Sequence, residues 1–172
     1  MDLQLTGKRA FVTESSSGIG HGIARVLARE GAHAVVHGRD AARAEKVAAE
    51  IIGAGGKAAV TIGDLATEAG ASSVIVAMDG PIDILIINIG GHEAAGGGLN
   101  GWFNDTPEVW AGVAQQNLIP PVRMIHAFVP AMRERGWGRV INLTVSLSLE
   151  QWSYGQHGQP RLHANRDVRT HA

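Results

Sequence analysis

The chain has 172 residues, 45% of them apolar, and a formal net charge of -1. That suffices for one globular domain with a buried core, and a near-neutral balance disfavours a nucleic-acid partner, whose phosphates need a basic face. Without cysteine, disulfides and thiolate metal sites are excluded; no signal peptide or membrane span is expected, and a cytoplasmic setting is.

RAFVT, residues 9–13, is a predicted strand, followed by the serine-rich turn ESSSGIG. Ile19, Ile23, Val26 and Leu27 recur at helical spacing over residues 18–30, and Gly31 closes that helix. AHAVVHG is a second strand. Asp40 caps a helix over AARAEKVAAEII that ends at Gly53. KAAVTIG is a third strand, followed by Asp64 and a short helix over residues 66–78. IDILIINIG is the most apolar run and suits a strand buried on both faces. GGHEAAGGGLNG reads as a glycine-rich loop. Thr106-Pro107-Glu108 opens a helix with proline in its first turn, running to Arg135 with a kink at Pro120-Pro121. GRVINLT is a fifth strand. After Leu149 no period of 2 or 3.6 remains, so residues 1–149 are expected to form the domain and 150–172 an irregular tail.

Strands alternating with helices imply an α/β fold, a doubly wound parallel sheet covered on both faces. Such sheets bind nucleotides at the carboxyl ends of their strands. The strand–turn–helix at the start aims backbone N–H groups and a positive helix end at a pyrophosphate. Gly18 and Gly20 allow close backbone approach, and Ser15, Ser16 and Ser17 offer hydroxyls. The alternative is a plain connection with a serine-rich cap. Glu14, an anion, stands where such a turn usually has its first glycine. Arg39 ends the second strand, where an arginine suits a 2′-phosphate and a carboxylate suits a ribose hydroxyl, so NADP is favoured over NAD. The alternative is a solvated arginine beside the cap Asp40. Asp64 either meets an adenine edge or caps the next helix. Asn88 ends the fourth strand, and Gly90-Gly91 let the backbone pass close to a ligand. The eight histidines show no ligand spacing, and no metal site is expected.

VTESSSGIG, HGRD, GDL, DILIINIGG, QNLIPPVRMIHAFVPAM and GWGRVINLT occur in this order. Together they resemble the short-chain dehydrogenase/reductase family over about residues 5–145. The resemblance implies a Rossmann-type sheet, here of about five strands in the order 3-2-1-4-5 and incomplete at the C-terminus. It implies hydride transfer between NADP(H), with NAD second, and a small carbonyl or alcohol, by a homo-oligomer. Thr13, Gly18, Ile19 and Gly20 match the family's TGxxxGIG turn, Asp64 and Leu65 its adenine-side pair, and Asn88 and Gly90 two positions of NNAG. Asn117 matches the catalytic Asn of an Asn–Ser–Tyr–Lys set.

The departures are as informative. Glu14 replaces the turn's first glycine. Val145 falls at the catalytic serine position, with Ser146 one residue on. The only tyrosine, Tyr154, is followed four residues later by Gly158, and the last lysine is Lys57, so the sequence holds no YxxxK pair. Three readings stay open: a reductase with another acid, a nucleotide-binding or interaction module without chemistry, and a truncated or frameshifted fragment that self-associates through uncovered apolar surface.

Overall fold

A computed structural model describes residues 3–90 and 106–143, and the backbone of residues 153–154 and 160–161. The elements are β1 (Arg9–Val12), α1 (Gly18–Arg29), β2 (His33–Gly38), α2 (Ala41–Gly53), β3 (Lys57–Ile62) and α3 (Glu68–Val76). They continue with β4 (Ile84–Ile87), α4 (Pro107–Asn117), α5 (Ile119–Glu134), β5 (Arg139–Asn142), β6 (Ser153–Tyr154) and β7 (Pro160–Arg161). Strands β1 to β5 make one parallel sheet in the order β3-β2-β1-β4-β5, the doubly wound order expected from the sequence.

Side-chain alternation along the strands divides the core into two layers. Ala10, Val12, Ala34, Val36, Ile84 and Ile86 pack with Ala24 and Ala28 of α1 and Val47 and Ile51 of α2. The small alanines bring α1 close to the sheet. Phe11, Val35, Leu85 and Ile87 point the other way, against Val74 of α3 and Met124, Phe128 and Met132 of α5. Each such large side chain stabilises the fold by about 1.5–3 kcal/mol relative to exposure. All four residues of β4 are buried, as its unbroken apolar run requires. The edge strand β5 pairs only with β4 among the described residues, and Val140 and Ile141 are 42% and 51% exposed.

Three elements depart from expectation. The third helix starts at Glu68, not residue 66, so Asp64 is not its cap. Asp64 Oδ1 instead accepts the Ala66 N–H at 3.0 Å, a tight local turn. Thr67 becomes the cap, its Oγ1 accepting the Gly70 N–H at 3.0 Å. The helix expected over residues 107–135 is two helices that meet at Leu118. Pro120 and Pro121 have no N–H to return to the preceding turn, so the first helix loses its final bonds there. Beyond Leu149, β6 and β7 pair antiparallel where the sequence shows no strand period. No helix among the described residues is long and apolar enough to cross a membrane.

Candidate functional site

Strand order reverses at β1, which lies between β2 and β4, and the crevice outside their carboxyl ends is the position for a ligand in such a sheet. Thr13 and Asn88 tie the two sides of this crevice together. The Thr13 N–H donates to the Ile86 carbonyl at 3.0 Å, and the Asn88 N–H donates to Thr13 Oγ1 at 2.8 Å. Asn88 Nδ2 lies 3.4 Å from the carbonyls of both Thr13 and Glu14. Helix α1 closes onto this knot through Gly20. A Cβ there would lie 2.5 Å from the Glu14 carbonyl oxygen and 2.7 Å from Asn88 Nδ2, so only glycine fits.

The turn from β1 to α1 uses its polar groups in two ways. Ser15 is buried; its hydroxyl donates to the Val12 carbonyl at 2.7 Å and accepts the His37 N–H at 2.9 Å. The N–H groups of Ser15 and Ser16 both donate to the His37 carbonyl, at 2.8 and 3.1 Å. These groups belong to the frame. Ser17, by contrast, is exposed and is the N-cap of α1, yet makes no side-chain cap bond. The first helical N–H bond comes from His21, to the Ser17 carbonyl at 3.1 Å. The amides of Gly18, Ile19 and Gly20 precede it and have no carbonyl one turn back. This helix end is open, positive and solvent-facing, with Ile19 70% exposed.

Glu14 sits in this turn with φ 49°, in the left-handed region that favours glycine. A non-glycine residue there costs about 1 kcal/mol or more. Its N–H donates to His37 Nδ1 at 3.0 Å, while His37 Nε2 lies 3.0 Å from the Gly63 carbonyl. An amide can only donate and a carbonyl can only accept, so Nδ1 carries the lone pair and Nε2 the proton. His37 is therefore neutral, and its ring cross-links the ends of β1, β2 and β3. Burial pushes its pKa down from the ordinary 6.5 to about 4. Glu14 Oε1 approaches Nδ1 to 3.8 Å, but a neutral ring with its lone pair turned that way makes no ion pair. Burial raises the Glu14 pKa above its ordinary 4.5; Arg39 opposes the shift and Asp64 adds to it.

Sequence reading passed over His37. Its signal was a polar residue on the inward face of an apolar strand, in line with Val35 and edge-on to Phe11 at 5.8 Å. Next to it, a Cβ on Gly38 would run into the Ser16 side chain, so the turn lies directly over the end of β2. Arg39 follows, exposed and without a hydrogen bond or ion pair among the described residues. Asp40 does not engage it: that carboxylate caps α2 through the Arg43 N–H at 3.1 Å and meets the Arg43 guanidinium at 3.3 Å.

Asp64 is exposed at the end of β3, and the Leu65 side chain is fully buried in the core, which leaves Leu65 only its main chain for a ligand. Arg123 Nη1 donates to the carbonyls of Leu65 and Ala66 at 3.2 and 2.8 Å, and Gln115 Nε2 donates to Ala66 at 3.0 Å. Helices α4 and α5 thus brace this corner. On the far side, a Cβ on Gly90 would lie 3.4 Å from Asn117 Oδ1, so Gly90 and Asn117 are neighbours. Asn117 Nδ2 donates to the Val113 carbonyl at 2.9 Å. Gly91, Val145, Ser146 and the side chain of Tyr154 lie outside the described residues.

The family model for short chain dehydrogenase matches residues 8–156 of this chain. The uncharacterized oxidoreductase YvrD of Bacillus subtilis (strain 168) is 33% identical over 148 residues, covering 83% of this chain and 53% of that protein. The L-sorbose reductase of Gluconobacter frateurii, solved with NADPH and L-sorbose, superposes with a TM-score of 0.73 at 32% identity, over 83% of this chain and 54% of its own. A metagenomic short-chain oxidoreductase in complex with NADP gives 0.72 at 32% identity, over 86% of this chain and 66% of its own. The chain spans about half the length of the curated relatives it matches, with 53%, 49% and 46% for three of them.

Proposed function

The chain belongs to the short-chain dehydrogenase family, and on that premise we propose that residues 1–149 bind a nicotinamide dinucleotide, NADP in preference to NAD. The observation that carries this reading is the open N-terminus of α1 beside Arg39, whose exposed guanidinium has no ion pair among the described residues. The residues present fit the group. Three free amides and a helix dipole suit a pyrophosphate, and the excluded Cβ at Gly20 keeps that end against the crevice. In this assignment the amides of Gly18, Ile19 and Gly20 hold the pyrophosphate. Ser16, Ser17 and Arg39 receive the 2′-phosphate, a charge-assisted contact for Arg39. The Asp64 carboxylate and the Leu65 main chain flank the adenine. Thr13, Ser15 and Asn88 keep the strand ends in register, and Gly90 with Asn117 borders the nicotinamide side.

When bound, the nicotinamide gives or takes the hydride exchanged with a carbonyl or alcohol. Reduction of a carbonyl also needs a positioned proton donor, and general acid catalysis contributes about 10²–10⁴-fold. These 172 residues contain no YxxxK pair. The function proposed for them is therefore binding and orienting the dinucleotide, without proton transfer of their own. Calorimetric titration with NADPH and NADH tests the binding, and NADPH oxidation with a panel of ketones and aldehydes tests the chemistry. Saturable NADPH binding without turnover is expected. No binding of either nucleotide at millimolar concentration overturns the reading. Turnover that is lost in Asn117→Ala instead favours a reductase with another acid.

A further inference from the structure

We propose that the open edge of β5 is an interaction surface for a second copy of this chain, the two β5 strands pairing antiparallel across a two-fold axis at Ile141. The pairing is independent of the dinucleotide reading above.

The backbone shows which groups are open. The Arg139 N–H donates to the Asp83 carbonyl at 2.9 Å, and the Leu143 N–H donates to the Ile87 carbonyl at 2.8 Å. Successive residues of a strand turn their N–H and C=O to opposite sides. Arg139, Ile141 and Leu143 therefore bond toward β4, and Val140 and Asn142 each present an N–H and a C=O to the far side. Among the described residues no strand pairs there.

The side chains are open as well. All of β5 is exposed. Val140 borders a hollow with Val129 and Met132 of α5. Ile141, in register with Ile86, faces the layer of α1 and α2 and is half exposed. Edge strands are usually guarded by a proline, a bulge or a charge. RVIN has neither proline nor bulge. Its one charge is folded back: the Arg139 guanidinium lies 5.0 Å from the Trp137 ring centre and donates to the Gly138 carbonyl at 2.8 Å.

The complement of this edge is the edge itself. A two-fold axis at Ile141 sets Val140 opposite the partner's Asn142, and Asn142 opposite the partner's Val140. Such pairs exchange both N–H···O bonds in an antiparallel ladder, so every open group of Val140 and Asn142 is used on both copies. Ile141 meets the partner's Ile141 as a non-hydrogen-bonded pair, where side chains approach most closely. Arg139 falls opposite the partner's Leu143, so no like charges are opposed. A two-fold at Val140 instead needs Gly138, whose carbonyl already serves Arg139.

The chain has no cysteine, so single cysteines read the register. Non-hydrogen-bonded partners have Cα atoms about 4.5 Å apart, within disulfide reach. Ile141→Cys should oxidise to a covalent dimer about tenfold or more faster than Val140→Cys or Asn142→Cys. Asn142→Pro removes an open N–H that β4 does not use, a change that edge strands accept. It should weaken the dimer seen by sedimentation about tenfold, and Asn142→Ala, which keeps that N–H, should not. Equal oxidation rates at the three positions overturn the pairing, and so does a wild type that stays monomeric at about 100 μM. An oligomer unchanged in Asn142→Pro also overturns it and assigns association to another surface.

Discussion

His37 ties the stability of the fold to pH. The ring is fully buried, neutral, and bonded on both nitrogens, to the Glu14 N–H and the Gly63 carbonyl. Burial disfavours the charged ring and lowers its folded pKa from 6.5 to about 4, and protonating Nδ1 would also turn two donors toward each other. The unfolded chain therefore binds a proton that the folded chain refuses. Nothing is lost above pH 6.5, and stability falls progressively as pH drops from there toward about 4. A depression of that size corresponds to about 2–3 kcal/mol lost by pH 4.5. Glu14 works in the opposite sense, because a raised folded pKa favours the protonated native state at low pH. Urea unfolding of wild type and His37→Gln at pH 7, 5.5 and 4.5 separates the two. The variant leaves one buried partner without its bond and should lose about 1–3 kcal/mol at pH 7. Its stability should then fall less steeply than the wild type's toward pH 4.5. Parallel pH curves for the two proteins would mean that His37 does not stay neutral when folded, and the tautomer derived from its bonds would be wrong.

Arg39→Ala should weaken NADP binding by about tenfold or more and NAD binding much less, because only the 2′-phosphate loses a charge-assisted bond; an unchanged preference returns Arg39 to the solvated surface. Gly20→Ala should destabilise the fold by about 1–3 kcal/mol and abolish dinucleotide binding, since its Cβ forces α1 off the Glu14 carbonyl and Asn88. Thermal unfolding and NADPH titration of this variant check both effects. Leu118, Val122 and Ile125 stand exposed at helical spacing at the start of α5, a stripe that favours self-association. Sedimentation should show an oligomer for the wild type and a smaller species for the double variant Val122→Asp/Ile125→Asp.

What the sequence made legible is what depends on neighbours along the chain. The unbroken apolar run in IDILIINIG places β4, buried on both faces, and the helical spacing of Ile23 and Leu27 places α1, whose core-facing side they mark. The cap at Asp40 is equally local. Asp64 was ambiguous because a short carboxylate serves a turn two residues on as readily as a helix three residues on, and Thr67 stood ready to cap in its place. The bonds of His37 were illegible for the opposite reason. Alternation with Val35 turns its ring inward, but its partners lie 23 and 26 residues away, so nothing local announces them.

The same distinction resolves the tension that Glu14 creates. In the sequence it stands as an anion inside the turn proposed to hold the pyrophosphate. In the fold the turn carries two separate sets of amides. Those of Glu14, Ser15 and Ser16 bond to the ring and carbonyl of His37 and hold the turn on β2. Those of Gly18, Ile19 and Gly20 open the helix and have no carbonyl one turn back. A residue with a side chain at position 14 strains the first set through its left-handed φ, and its carboxylate is turned toward His37. The second set keeps both glycines, the exclusion of a Cβ at Gly20 and the uncapped helix end. A turn damaged as an anion site would have lost the second set; this one has altered only the first, next to the corner where Arg39 stands.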